Sequence, residues 1–147
     1  MKAVKLYNHT SGVFSVAIAF FLVFSLGSCA RKIVFQTSPI VPAAQGFVKV
    51  KKDKNNNYAL EIDVRNLADP KRLDPPKQTY VVWTETERDG TKNIGQMNSS
   101  SGFLSSKLKA SLTAVTPFKP TSVFITAEDN ADIRYPGMQV VLRTRNF

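Results

Sequence analysis

Residues 58–64 read YALEIDV, a stretch in which the first residue and every second one after it are apolar. Successive side chains of a β-strand point to opposite faces of the sheet. Leu60 and Ile62 therefore share one face, while Glu61 and Asp63 share the other. This alternation predicts an antiparallel strand with one face on a hydrophobic core and the other in water.

Other short runs with β propensity surround this strand. Residues 47–51 (FVKVK) precede it, and the asparagine-rich turn at residues 54–57 allows the two runs to pair as a hairpin. The other strand candidates, with a loop at residues 98–102 among their connections, are residues 79–87, 92–97, 103–112, 122–127 and 139–144. Of these, residues 103–112 also fit a short helix. The pattern predicts an all-β fold, an antiparallel immunoglobulin-like β-sandwich of about seven strands.

The N-terminal segment is basic and then apolar. Lys2 and Lys5 precede the apolar run at residues 13–26 (VFSVAIAFFLVFSL), and no acidic residue occurs before Asp53. The 14 residues of the run would span about 21 Å as a helix, less than the ~30 Å hydrocarbon core of a membrane. We therefore expect a removable secretory signal rather than a permanent membrane span.

Residues 26–29 (LGSC) follow the apolar run directly and resemble the lipobox of bacterial lipoproteins. The resemblance implies cleavage between Ser28 and Cys29 and a diacylglycerol group on the Cys29 thiol. Small residues suit the peptidase that cuts there, and a thiol is the nucleophile that accepts the lipid. The alternative is an uncleaved signal anchor with an incidental cysteine. Both place the domain outside the cytoplasm, because the positive end stays inside.

The predicted organisation is a signal peptide at residues 1–28, a lipidated cysteine with a flexible tether at residues 29–45, and the sandwich at residues 46–147. Prolines favour extended backbone in the tether, although residues 33–35 also fit a short strand. The single cysteine excludes an internal disulfide. Because Ala30 is not aspartate, the resemblance implies an outer-membrane location in the cell envelope, with the domain on the periplasmic face.

Residues 46–144 also resemble the C-terminal extracytoplasmic domain of anti-sigma-K factors. The motifs that carry this resemblance are, in order, YVVW at 80–83, DG at 89–90, IG at 94–95, VFITAE at 123–128 and YPG at 135–137. It implies a β-sandwich outside the membrane and a sensing or binding role. A lipobox-like segment stands where that family has a transmembrane helix and a sigma-binding domain, so sequestration of a sigma factor is not implied.

Residues 29–147 offer little for catalysis, because the single histidine, His9, lies in the predicted signal peptide. With Cys29 lipidated, histidine-dependent nucleophilic catalysis and ordinary zinc sites are excluded. Serine–lysine pairs at residues 105–107 (SSK) and 109–111 (KAS) would need a buried lysine, which nothing in the sequence indicates. We expect a non-catalytic binding or structural module with no cofactor and no metal. An extracytoplasmic sensory regulator is the alternative.

Three weaker candidates each have a structural explanation that we favour. Alternate carboxylates at residues 85–89 fit a glycosidase pair or the solvated end of a strand. Residues 128–132 (EDNAD) fit a calcium loop, but they lack the spacing of an EF-hand and also suit a turn bonded by its own side chains. Trp83 and Tyr80 would stack on a sugar ring if exposed, and pack in the core otherwise.

Basic charge is the most unusual feature of the composition. Residues 29–147 carry 18 Lys and Arg residues against 11 Asp and Glu residues. Lys49, Lys51, Lys52 and Lys54 cluster on the first predicted hairpin. They suit an anionic lipid or glycan surface, or they protect an edge strand from pairing, which we favour. Expected partners are membrane lipid through Cys29, an anionic glycan or lipid, or an envelope protein; nucleic acid is not expected in that compartment.

Overall fold

The computed structural model describes residues 30–100 and 109–147, which form nine β-strands and one short 3-10 turn at Pro70–Arg72. The strands are β1 (Arg31–Val34), β2 (Gln45–Lys52), β3 (Tyr58–Arg65), β4 (Thr79–Thr86), β5 (Gly90–Gln96), β6 (Asn98–Ser100), β7 (Lys109–Thr116), β8 (Pro120–Glu128) and β9 (Val140–Arg143). They make two antiparallel sheets that pack face to face, which confirms the predicted all-β sandwich.

The strand order of the sheets is that of an immunoglobulin-like fold. One sheet runs β1-β2-β3-β7-β6 and the other runs β5-β4-β8-β9. Strands β2, β3, β7 and β6 correspond to A, B, E and D of that fold, while β5, β4, β8 and β9 correspond to C′, C, F and G. Strand β1 is an additional edge strand beside β2.

The core between the sheets follows the alternation of β3. Leu60, Ile62 and Val64 are almost completely buried and face the other sheet, where Val82 and Ile125 are equally buried. Burying aliphatic side chains of this size stabilises a fold by about 1.5–3 kcal/mol each. The predicted inward face of residues 58–64 is therefore confirmed.

Residues 31–45 differ from the predicted flexible tether, because most of them pack on the sandwich. Strand β1 pairs with β2, with Arg31 opposite Val50 and Val34 opposite Phe47. In the connection that follows, Val41 is buried and its N–H donates to Ser38 Oγ at 2.8 Å. The prolines of this segment therefore belong to a compact turn between two strands.

Two further boundaries are corrected by the structure. Residues 98–100, predicted as part of a loop, form β6, whose Asn98 lies opposite Ser111 of β7. Residues 101–108 lie outside the described residues. From residue 109 onward the strand alternative for residues 103–112 is confirmed, and the strand continues to Thr116.

The two ends of the sandwich differ in their connections. The proximal end is formed by residues 30–31, 51–57, 87–89, 117–119 and 145–147. The distal end, as far as it is described, is formed by three longer connections, residues 35–44, 66–78 and 129–139. The segment that leads back to Cys29 leaves from the proximal end, because β1 begins there.

Candidate functional site

The β2–β3 turn holds three of the four predicted lysines at the proximal end. The carboxylate of Asp53 accepts the backbone N–H groups of Asn55 and Asn57, both at 2.8 Å, and Asn56 adopts the left-handed backbone region that asparagine tolerates. Lys51, Lys52 and Lys54 flank this turn, and all three are exposed. The turn chemistry therefore fixes the backbone, and Lys52 Nζ lies 5.8 Å from the centre of the Tyr58 ring.

The fourth lysine, Lys49, lies apart from the other three. It points to the outer face of its sheet, where Nζ is 3.1 Å from Glu61 Oε1 and 5.4 Å from the ring centre of Phe47. The favoured explanation, protection of an edge strand, is wrong for this residue, because β2 lies between β1 and β3. Lys49 itself pairs across the sheet with Lys32 of β1 on one side and Glu61 of β3 on the other.

The fold brings further cations to the proximal end from distant parts of the chain. With the three lysines, the cations at this end are Arg31, Lys51, Lys52, Lys54, Arg88, Lys119 and Arg145, against Asp53, Glu87 and Asp89. Lys119 pairs with Glu87 at 3.0 Å, while among the described residues the other six make no ion pair with a carboxylate. Sequence inspection missed this cluster because its members are separated by up to 114 positions, from Arg31 to Arg145.

Charges in the three described connections of the distal end are balanced. These connections carry the cations Lys71, Arg72, Lys77 and Arg134 and the anions Asp69, Asp74, Asp129 and Asp132. Lys77 Nζ bonds Asp129 Oδ2 at 2.7 Å and so ties two of these connections together. Tyr135 and Met138 are exposed there, Met138 completely.

The acidic loop that begins at Glu128 is held by its own hydrogen bonds. The Glu128 carboxylate is buried and accepts the N–H of Gly137 at 2.7 Å, while Asn130 Oδ1 accepts the N–H of Asp132 at 3.0 Å. A Cβ atom at position 137 would approach Glu128 Oε2 to 2.7 Å, so a larger residue there would displace this carboxylate. This confirms the turn alternative for these residues. Within residues 30–100 and 109–147, no group of three His, Cys, Asp or Glu residues could hold a metal ion.

Trp83 and Tyr80 both pack inside the molecule. The ring of Trp83 is fully buried and stacks on Phe124 at a centroid distance of 6.3 Å, and its Nε1–H donates to Thr126 Oγ1 at 2.8 Å. Tyr80 donates its hydroxyl to the carbonyl oxygen of Ala68 at 2.9 Å. Burial, and then the nearby charge of Asp69, raise the pKa of Tyr80 to about 12. Neither ring is available to a sugar.

The carboxylates at residues 85–89 are engaged in separate contacts. Glu85 accepts hydrogen bonds from Ser122 Oγ and from Arg143 Nη1, the latter at 2.8 Å. These hydrogen bonds, from Ser122 first and then Arg143, lower the pKa of Glu85. Glu87 pairs with Lys119 at the turn instead. The two carboxylates therefore serve different cross-strand contacts and do not converge on a common space.

The serine–lysine candidates give no buried lysine in the described part of the chain. Residues 105–107 lie outside it, as do Ser28 and Cys29. Lys109 and Ser111 are both exposed on β7. A serine nucleophile activated by lysine needs that lysine to be shielded from water, and Lys109 does not meet this condition.

A shallow groove lies on the outer face of the first sheet. It has a volume of about 460 Å³, and its walls include Lys32, Val34, Phe47 and Arg65. Lys32 Nζ lies 4.2 Å from the centre of the Phe47 ring, a cation–π contact across β1 and β2. The groove is thus a charged surface feature over one half-buried ring.

Comparison of the chain with protein-family models, with curated proteins and with solved structures found no match. Over the residues that the structure describes, no helix is long and apolar enough to cross a membrane.

Proposed function

We propose that the protein is a lipid-anchored cell-envelope protein whose β-sandwich is a non-catalytic binding or structural module. The observation that carries this proposal is the sequence LGSC at residues 26–29, which directly follows a basic segment and a 14-residue apolar run. The order of these three parts is what a lipoprotein signal requires, and the cysteine would supply the thiol that takes the lipid.

The start of the sandwich supports this arrangement. Strand β1 begins at Arg31 and is hydrogen-bonded along β2, so only Ala30 separates Cys29 from the folded sheet. Consecutive Cα atoms lie ~3.8 Å apart, which keeps the Cα atom of Cys29 within about 8 Å of that of Arg31. A lipid on Cys29 would therefore hold the proximal end of the sandwich close to the membrane surface.

The contacts of the polar groups support a non-catalytic role. Glu85 is bound to Ser122 and Arg143, Glu87 to Lys119, and Glu128 to the backbone of its own loop. Each of these side chains already has a cross-strand or turn contact that accounts for its position. A binding module of this kind would present its distal connections, with Tyr135 and Met138, to the space away from the membrane.

Mass spectrometry of the mature N-terminus tests the anchor. We expect a peptide that begins with a diacylglyceryl-modified Cys29. The Cys29→Ser variant should incorporate no labelled fatty acid and should accumulate as the unprocessed chain, whereas Ser28→Ala, which keeps a small residue before the cleavage site, should be processed normally. An intact Met1 or an unmodified Cys29 in the wild-type protein would refute the proposal.

A second candidate function is extracytoplasmic sensing. The resemblance of residues 80–83 (YVVW) and of the segments after them to the anti-sigma-K domain favours it. Deletion of the gene separates the two candidates. A sensory regulator should change the transcription of a defined gene set, whereas a binding module should leave transcription unchanged and should retain a partner in a pull-down with the lipidated protein.

A further inference from the structure

We propose that the proximal end of the sandwich rests on the membrane and that its cations contact the headgroups of anionic phospholipids. This inference depends on the lipid anchor at Cys29 proposed above. It goes beyond the anchor in two ways. It orients the sandwich with its proximal end on the membrane, and it assigns the lipid contact to the proximal cations and not to Lys49.

The two ends of the sandwich differ in net charge. Seven cations and three side-chain carboxylates lie at the proximal end. The described distal connections carry four of each, and the bordering strand residues Arg65, Lys109 and Glu128 bring the distal count to six cations and five carboxylates. A net positive surface is attracted to a negative lipid surface within about one Debye length, which is ~8 Å at physiological ionic strength. The described part of the distal end has a much smaller excess, so the attraction orients the domain.

Most of the proximal cations are not neutralised by a neighbouring carboxylate. Two of the three carboxylates have defined partners, Asp53 in the backbone of its turn and Glu87 in the ion pair with Lys119. Lys51, Lys52 and Lys54 are exposed and make no ion pair among the described residues. Lys52 also contacts the ring of Tyr58, which does not neutralise its charge. The charge of the three lysines is therefore available to an external anion.

The proposed anchor lies next to the proximal end. Arg31 lies opposite Val50, so the chain preceding Arg31 runs toward the side of Lys51 and Lys52. Arg31 also lies over the ring of Phe147, with 5.8 Å between Cζ and the ring centre, which ties the start of β1 to the residues after β9 at the same end. A lipid within about 8 Å of Arg31 therefore places the membrane surface beside the proximal end.

Lys49 is excluded by its environment. Its side chain lies on the outer face of the sheet, bonded to both carboxylate oxygens of Glu61 at 3.1 Å. A contact with lipid would require this pair to break. Lys51 lies on the same face of β2, two residues nearer the proximal end, but it is exposed and makes no ion pair among the described residues. The four lysines that cluster in the sequence thus separate into three that face the membrane and one that stabilises a sheet face.

Spin labels on the full-length, lipidated protein in vesicles test the orientation. With Cys29 blocked by lipid, a cysteine introduced by Asn55→Cys at the proximal end, or by Met138→Cys at the distal end, is the unique thiol. We expect a relaxing agent attached to lipid headgroups to act several-fold more strongly on the proximal label than on the distal one. The difference should be large in vesicles containing phosphatidylglycerol and small in vesicles of phosphatidylcholine alone.

Charge variants complete the design. Each cation near an anionic surface contributes about fivefold to its binding, so Lys51→Gln, Lys52→Gln and Lys54→Gln together should shift the ratio of docked to free orientations by roughly 100-fold. The matched control removes three distal cations through Lys71→Gln, Arg72→Gln and Arg134→Gln and should leave the ratio unchanged. Raising the salt concentration to 1 M should act like the proximal triple variant, because the Debye length falls to ~3 Å.

The outcomes decide between the inference and the anchor on which it depends. Equal relaxation of the two labels, or the same proximal relaxation in both kinds of vesicle, would overturn the inference while leaving the anchor in place. A proximal response to heparin, a soluble polyanion, without any response to phosphatidylglycerol would overturn it in favour of an acidic glycan. Failure to float with phosphatidylcholine vesicles would overturn the lipid anchor, and failure with phosphatidylglycerol vesicles as well would overturn both.

Discussion

The two outer faces of the sandwich differ in whether a loop covers them. The outer face of the β5-β4-β8-β9 sheet carries Trp83 and Phe124, and residues 129–139 fold back over it and bury both rings. The outer face of the other sheet is open to solvent and carries charged side chains around the half-buried ring of Phe47. One sheet therefore has a hydrophobic core on each side, and the other has a core on one side.

This difference follows from how each loop is held. Asn93 Nδ2 of β5 donates to the carbonyl oxygens of Ala131 and Ile133, at 2.9 and 3.1 Å, which fastens the loop across the sheet. Ala131 and Ile133 then pack on the aromatic pair. Among the described residues, Phe47 on the open face belongs to neither buried cluster. A sheet face is buried here because a later loop returns to it.

Truncation of one aromatic residue on each face gives the largest expected contrast. Trp83→Ala should lower the free energy of unfolding by roughly 3–5 kcal/mol, because it empties a fully buried site. Phe47→Ala on the open face should lower it by about 1 kcal/mol, because the ring is half-buried. Urea unfolding followed by circular dichroism measures both.

If Trp83→Ala unfolds the protein, Trp83→Phe keeps the test open. It retains an aromatic ring but removes the hydrogen bond to Thr126 Oγ1, with an expected cost of about 1–2 kcal/mol. Equal costs for Phe47→Ala and Trp83→Ala would contradict the distinction between a covered and an open face.

Release of the loop is the next largest effect. Asn93→Ala removes both hydrogen bonds to the loop and should cost about 1–2 kcal/mol. It should also increase the quenching of Trp83 fluorescence by acrylamide, because the loop covers that ring. Asn55→Ala, in the exposed β2–β3 turn, is the matched control and should leave the quenching unchanged. Unaltered quenching in Asn93→Ala would show that the loop stays in place without this side chain.

Glu85 makes the covered face sensitive to acid. Hydrogen bonds from Ser122 and Arg143 hold its pKa below the ordinary 4.5. Its charged form therefore stabilises the fold fully above pH 4.5, and this contribution is lost as the pH falls through the lowered pKa. Because the side chain is 35% exposed, we expect Glu85→Gln to cost only about 0.5–1 kcal/mol at pH 7.

Urea unfolding of the wild type and Glu85→Gln between pH 3 and pH 7 measures this effect. The two stability curves should converge on the acid side, since protonated glutamate and glutamine both lack the charge. Glu61→Gln, on the open face, supplies the comparison and should leave a smaller gap at pH 7. A gap for Glu85→Gln that persists unchanged down to pH 3 would mean that its charge is not the source of the stability.

Sequence patterns predicted burial well for the sheet whose outer face is open, and only in part for the sheet whose outer face is covered. Alternation in residues 58–64 assigned Leu60 and Ile62 to the core, because period-two patterning depends on the strand alone. The run at residues 79–84 (TYVVWT) lacks alternation, and the structure buries it on both sides. What covers it is a polar loop about 50 positions later, held by Asn93, and no local pattern indicates such a distant contact.

The proximal cation cluster illustrates the same limit. The three lysines of the β2–β3 turn were evident because they are neighbours in sequence, but Arg88, Lys119 and Arg145 join them through strand pairing alone. Lys49 was grouped with the turn lysines for the same reason, although strand register places it beside Glu61. The sequence thus identifies the charged residues, whereas the register of strand pairing determines which of them lie close together.

The smallest expected effect concerns Lys49 and Glu61 on the open face. Lys49→Ala and Glu61→Ala, alone and combined, should give a coupling energy of about 0.2–1 kcal/mol, because both side chains are well exposed and water screens the pair. The corresponding cycle for Glu85 and Arg143 on the covered face should give a larger value, since Glu85 also binds the buried Ser122. Both cycles should weaken in 1 M salt, the exposed pair more. A Lys49–Glu61 coupling that exceeds the Glu85–Arg143 coupling would show that the loop beside the covered face does not strengthen the contacts at its margin, and that the two outer faces differ in apolar burial alone.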